Sequence, residues 1–152
     1  MKETASQLRN IVIEYTSLLQ QADEKSYLFK VSANKWSKKE ILGHLVDSAQ
    51  NNIRRFIVAQ YEDVPKIVYN QDSWVAISDY QNYPIGDLIT LWRLLNNHAA
   101  IILSNTNLEI SQRKCDTNGA EIHSIEWLAN DYIKHLLHHL HQILELEPVP
   151  YR

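Results

Sequence analysis

The fold class this sequence predicts is an all-α four-helix bundle with a long crossover between helices 2 and 3. Three observations predict it. Four segments carry apolar residues at three- and four-residue steps, the mark of one buried stripe per helix. Only three Gly and four Pro interrupt 152 residues, which favours a few long helices over many short strands. No segment reads as a convincing strand, and the 45% apolar content supplies ample core. The length suits one domain spanning residues 1–152.

The first helix is expected from about Thr4 to Ala22, with Leu8, Ile11, Val12, Tyr15, Leu18 and Leu19 as its stripe. The polar stretch that follows, to Trp36, offers Phe29 and Val31 to cover one end of the bundle. Ser37-Lys38-Lys39-Glu40 is a capping box, in which Ser37 accepts from a free amide and Glu40 reaches back. It opens a second helix that carries Ile41, Leu42, Leu45, Ala49, Ile53 and Phe56 to about Gln60.

Tyr61 to Tyr83 form the crossover, with a short helix expected near Gln71 to Ala76. Such length calls for a packed or functional segment, and a long crossover changes which helices become neighbours. Pro84 suits a helix entrance. The third helix then runs through Leu88, Leu91, Trp92, Leu95, Ala99 and Ile102 to Leu103. Asn105 to Gly119 reads as a polar connection with a turn at Asn118-Gly119. Ser124 caps a fourth helix that carries Ile125, Leu128, Ala129, Tyr132, Leu136, Leu140 and Ile143, and Pro148 and Pro150 end it.

Charge and composition exclude several function classes. A net charge of −3 with scattered basic residues argues against nucleic acid or an anionic membrane as partner. Lys35, Lys38 and Lys39 read as a solvated helix start. No apolar run approaches the roughly 20 residues of a membrane span. The first twenty residues mix Lys2, Glu3, Arg9 and Glu14 into the stripe, unlike a targeting peptide. The lone Cys115 cannot form an intrachain disulfide and reads as a structural thiol in a reducing compartment. A cytoplasmic location is the expectation.

Seven histidines carry the chemical information. At about 100° per residue, His135 and His139 share one face of the fourth helix, beside the apolar stripe, while His138 and His141 turn toward solvent. His44 flanks the stripe of the second helix. The three rings converge if those two helices are neighbours, and imidazole suits Zn, Ni, Fe and Cu. Satisfied core histidines are the competing reading of the same pattern.

A resemblance adds to the pattern. The segment from Trp36 through Gly43-His44-Leu45-Val46-Asp47 to Ala49 resembles the second-helix motif of the DinB/YfiT-like superfamily. Glu126-Trp127-Leu128, Asp131-Tyr132-Ile133-Lys134-His135 and His138-His139-Leu140-His141-Gln142-Ile143 are similar to its C-terminal motif, and the match extends to Gln71–Val75 and to Leu91-Trp92. The resemblance implies an up-down-down-up bundle, commonly a homodimer, with a divalent metal ion held by His44, His135 and His139. Zn or Ni is the first expectation for that ion, ahead of Fe or Mn. It also implies kinship with thiol-dependent enzymes, among them low-molecular-weight thiol S-transferases and a maleylpyruvate isomerase.

Three neutral ligands leave an ion its full charge and an open position, the arrangement of a catalytic site. Such a site activates water for hydrolysis or lowers the pKa of a bound thiol. Asp47, Asn51 and Asp131 lie where they could orient an imidazole or, for the carboxylates, serve as base; the alternative is an ordinary exposed carboxylate. Arg54 and Arg55 read as surface salt bridges or as contacts to an anionic substrate. Trp74 and Tyr80 read as core packing or cavity wall, and His98 and His123 as bystanders. The expected function is a metal-dependent transferase or hydrolase acting on a small molecule, with a low-molecular-weight thiol as one candidate partner. The alternatives are a non-catalytic metal or small-ligand binding module and a helical interaction protein with incidental histidines.

Overall fold

The structure is a computed structural model that describes residues 1–151. Four long helices form a bundle: α1 (Lys2–Gln21), α2 (Lys38–Val58), α4 (Ile85–Asn105) and α6 (Ile125–Leu144), with two short ones, α3 (Gln71–Ser78) and α5 (Leu108–Ser111). Each long helix buries the stripe read from its sequence. Leu8, Val12 and Leu19 of α1 meet Leu88, Trp92 and Leu103 of α4 in one continuous core, with Leu42, Leu45 and Phe56 of α2 and Leu136 and Leu140 of α6.

The order in space differs from the order in sequence. α1 packs on α4, α4 on α2, α2 on α6, and α6 on α1, so α1 stands diagonally from α2 and α4 from α6, while α2 and α4 remain neighbours. The crossover from α2 to α4 makes this order possible, and it is fastened rather than loose. Ile67 N–H donates to the Asp116 carbonyl and Asp116 N–H to the Pro65 carbonyl, each at 2.9 Å. The Arg113 guanidinium donates to the carbonyls of Ala59 and Glu62 at 2.7 and 2.8 Å.

The ends of α2 and α6 are set by caps. Ser37 Oγ accepts from Glu40 N–H at 3.1 Å, while Ser37 N–H donates to Glu40 Oε2 at 2.7 Å, which completes the capping box. Ser124 Oγ accepts from Trp127 N–H at the start of α6. Its other end stops at Glu145, which is left-handed with φ 56°. The chain then folds back: His138 Nδ1 donates to the Val149 carbonyl at 2.7 Å and His141 Nδ1 to the Glu147 carbonyl at 2.6 Å.

Several expectations are corrected here. β1 (Lys114–Cys115) and β2 (His123–Ser124) pair as a minimal antiparallel hairpin where no strand was expected. Two residues per strand leave no alternation to read. Phe29 and Val31 do not cover the bundle; they are 67% and 84% exposed, and Tyr27 fills that end instead, its hydroxyl on the Leu19 carbonyl. Lys39 is buried with Nζ on the Gln81 carbonyl, and Lys38 pairs with Glu145 at 2.9 Å, so only Lys35 of that group is solvated. His138 and His141 do not face solvent; the returning tail half-buries both. Because a carbonyl can only accept, His141 carries its proton on Nδ1, and its Nε2 accepts from the Tyr15 hydroxyl at 2.7 Å. Cys115 is fully buried, its thiol on the Pro65 carbonyl.

Candidate metal centre

The adjacency of α2 and α6 brings three imidazoles together. His44 stands seven residues beyond the Ser37 cap, and His135 and His139 lie one turn apart on α6. One nitrogen from each ring lies within 4.8 Å of the other two. His44 Nε2 and His135 Nε2 are 3.1 Å apart, and the ring centroids of His135 and His139 are 4.6 Å apart and nearly perpendicular. Ligand nitrogens at about 2.0–2.1 Å from one ion span this spread after small ring rotations.

Electrostatics keeps the rings in the form that ligates. His44 is pushed down to about 4, first by burial and then by repulsion from His139. His135 is lowered as well, by burial and by its histidine neighbours, and His139 by burial. Neutral imidazoles with free lone pairs result. The Nδ1–H of His139 donates to Gln142 Oε1 at 3.0 Å, which leaves its Nε2 lone pair for an ion. His44 Nδ1 is buried without a hydrogen-bond partner among the described residues. Trp36 walls this ring at 5.1 Å, and Tyr151 of the tail stands 5.3 Å from His135.

The two aspartates take different places. Asp47 is buried, and its Oδ1 accepts from the Tyr80 hydroxyl at 2.6 Å. Burial raises its pKa to about 6, against the lowering effect of that bond. It lines neither cavity beside the triad. Asn51 donates to the Asp47 carbonyl. Asp131 lines the cavity next to His135 and accepts from the Tyr151 hydroxyl at 3.0 Å.

Two cavities flank the triad. One, of about 480 Å³, is walled by His44 and His135 together with Arg55, Tyr69 and Asp131. The other, of about 510 Å³, lies against His139 and Trp36. Gln71, at the start of α3, borders both.

Sequence reasoning left parts of this site out. His44, Ser48, Asn52 and Arg55 recur at steps of four, four and three residues along α2 and all line the first cavity. That polar stripe was visible in the spacing, but an apolar stripe beside it drew the reading. Among the described residues Arg55 forms no salt bridge; it is half-buried with its guanidinium on the Ile67 carbonyl. His123 stacks on Trp127 at 3.5 Å and lines the same cavity. His98 is exposed. Tyr80 and Trp74 line neither cavity: Tyr80 is core, and Trp74 packs on Tyr69. Among the described residues no helix is long and apolar enough to cross a membrane.

The sequence is 27% identical, over 73% of the chain, to the "Putative metal-dependent hydrolase YfiT" of Bacillus subtilis. It is 29% identical, over 72% of the chain, to a protein of Halalkalibacterium halodurans with the same description, BH0277. Each alignment spans 64% of the relative's length. The solved structure of YfiT from Bacillus subtilis, described as an unusual four-helix bundle topology, superposes with a TM-score of 0.81 at 21% identity. That match covers 95% of this chain and 86% of the other. The profile of the DinB superfamily matches residues 8–143. On that match, which reaches from within α1 to near the end of α6 and includes the three histidines, the chain belongs to the DinB superfamily.

Proposed function

We propose that this protein is a metal-dependent hydrolase of a small molecule, with His44, His135 and His139 as the ligands of one divalent ion. The observation that carries this reading is the convergence of three neutral imidazoles, two of which, His44 and His135, wall a cavity of about 480 Å³. The names of the two relatives support it. A bound ion with an open position would supply Lewis acidity and an activated water.

The chain's own residues then divide the work. Gln142 fixes the tautomer of His139. Asp131, on the cavity wall one turn before His135, is the carboxylate placed to accept a proton. Asp47 holds the Tyr80 hydroxyl beneath α2 and acts on structure rather than on substrate.

A second reading, transfer of a low-molecular-weight thiol to an electrophile, draws on the second cavity. With about 510 Å³ against His139, it offers room for another reactant on the far side of the triad. The homodimer that the resemblance implies belongs to the same proposal; light scattering is expected to return twice the chain mass.

Untagged protein is expected to carry about one Zn or Ni per chain by elemental analysis, and His44→Ala or His135→Ala to carry none. Restoring the ion to stripped wild type should restore turnover of an ester and amide panel. Activity only with an added thiol would favour the transferase. Metal uptake with no turnover under either condition would reduce the protein to a binding module, and absence of metal would end the proposal.

A further inference from the structure

Arg55 is an unusual group to find in the wall of this cavity. A guanidinium carries five N–H donors. Here Nε and Nη2 both donate to the Ile67 carbonyl, at 3.3 and 3.1 Å, and Nη1 donates to Asn52 Oδ1 at 3.4 Å. All three bonds go to neutral oxygens. One N–H on each terminal nitrogen is left over, and two parallel N–H groups are what a carboxylate accepts from arginine.

No carboxylate of the described residues comes within ion-pair distance of it. The acidic groups of the same cavity are Asp131 and Glu121. Asp131 stands across on α6 and accepts from Tyr151, while Glu121 belongs to the exposed turn before β2. The face of Tyr69 lies 6.0 Å from the guanidinium carbon. Burial pulls the Arg55 pKa below its ordinary value, which marks a charge held away from water. The more distant Asp131 offsets only part of that burial, and a half-buried charge without a carboxylate in direct contact is costly to keep.

The placement says what the partner should be. His44, Ser48, Asn52 and Arg55 form one polar line along α2 inside the cavity. His44 and Arg55 are about 16 Å apart along the helix axis at 1.5 Å per residue, and both side chains line the one cavity. The cavity of about 480 Å³ has room for a molecule of several carbons.

We infer that the cavity selects small molecules bearing a carboxylate, which Arg55 receives while the opposite end of the molecule lies at the three imidazoles. The second half of that statement rests on the proposed metal centre; the carboxylate site does not.

The test therefore uses metal-free protein, with hexanoate and its neutral counterpart hexanamide as probes. Wild type should bind hexanoate about tenfold more tightly than hexanamide, the size expected of a charge-assisted pair of hydrogen bonds. The Arg55 Nε–H resonance should move with hexanoate and stay still with hexanamide. Arg55→Gln should abolish the preference, and Arg55→Lys, which keeps the charge but not the fork, should reduce it should Arg55→Gln fail to fold. Equal affinity for the two probes in wild type, or a preference that survives in Arg55→Gln, would overturn the inference. Zinc uptake is measured separately on wild type. Its failure with the hexanoate preference intact would remove the metal centre alone.

Discussion

At the scale of single residues, the site sets two buried groups against each other. His44 is displaced down to about 4 from an ordinary 6.5, so between those values the unfolded chain binds more protons than the folded one. Stability of the metal-free protein therefore falls as pH is lowered through that window. Asp47 is displaced up to about 6 from 3.8. Its contribution is complete below 3.8 and is lost as pH rises through about 6. Urea unfolding at pH 4.5 and 6.5 should show a shallower rise of stability with pH in His44→Gln than in wild type, and a steeper one in Asp47→Asn. The shared face of His135 and His139 was legible in sequence because a four-residue step fixes a helix face without knowledge of the fold. The roles of His138 and His141 were not legible. Their partners are the carbonyls of Val149 and Glu147, and a carbonyl leaves no mark on residue identity.

At the scale of elements, α2 fits closely against the segment after α3. A Cβ on Gly43 would clash with the ring of Tyr80, whose hydroxyl also binds Asp47. Gly86, in the first turn of α4, has nothing within 4 Å of the corresponding position. Alanine is the better helix former by up to about 1 kcal/mol, so Gly86→Ala should raise the melting temperature slightly. Gly43→Ala should lower stability by about 1–3 kcal/mol, since overpacking outweighs propensity. Denaturant titration of the pair compares the two signs directly. The four long helices and the Ser37 cap were legible from local chemistry. The β1–β2 hairpin and the burial of Arg55 were not, because both depend on where the crossover lies, and its course is set by backbone bonds at Pro65, Ile67 and Asp116.

At the scale of the whole molecule, the triad spans two helices that no short loop joins. An ion there would act as a clamp between α2 and α6, and by mass action would add about 2.7 kcal/mol at a hundredfold excess over its dissociation constant. Calorimetry should show a melting temperature that climbs with free zinc in wild type and in His98→Ala, a change on the surface. The same titration should leave His135→Ala unmoved. The bundle was legible from sequence as a class, while its neighbour order required the resemblance, since periodicity says which face is buried and nothing about which helix covers it. That order has a consequence for how the protein is made. α1 lies against α4 and α6 and stands diagonally from α2. A chain leaving the ribosome therefore carries its first helix, apolar face uncovered, until the stretch through Asn105 has emerged to receive it. Nascent chains halted before Ile85 should be the ones that chaperones hold and proteases cut.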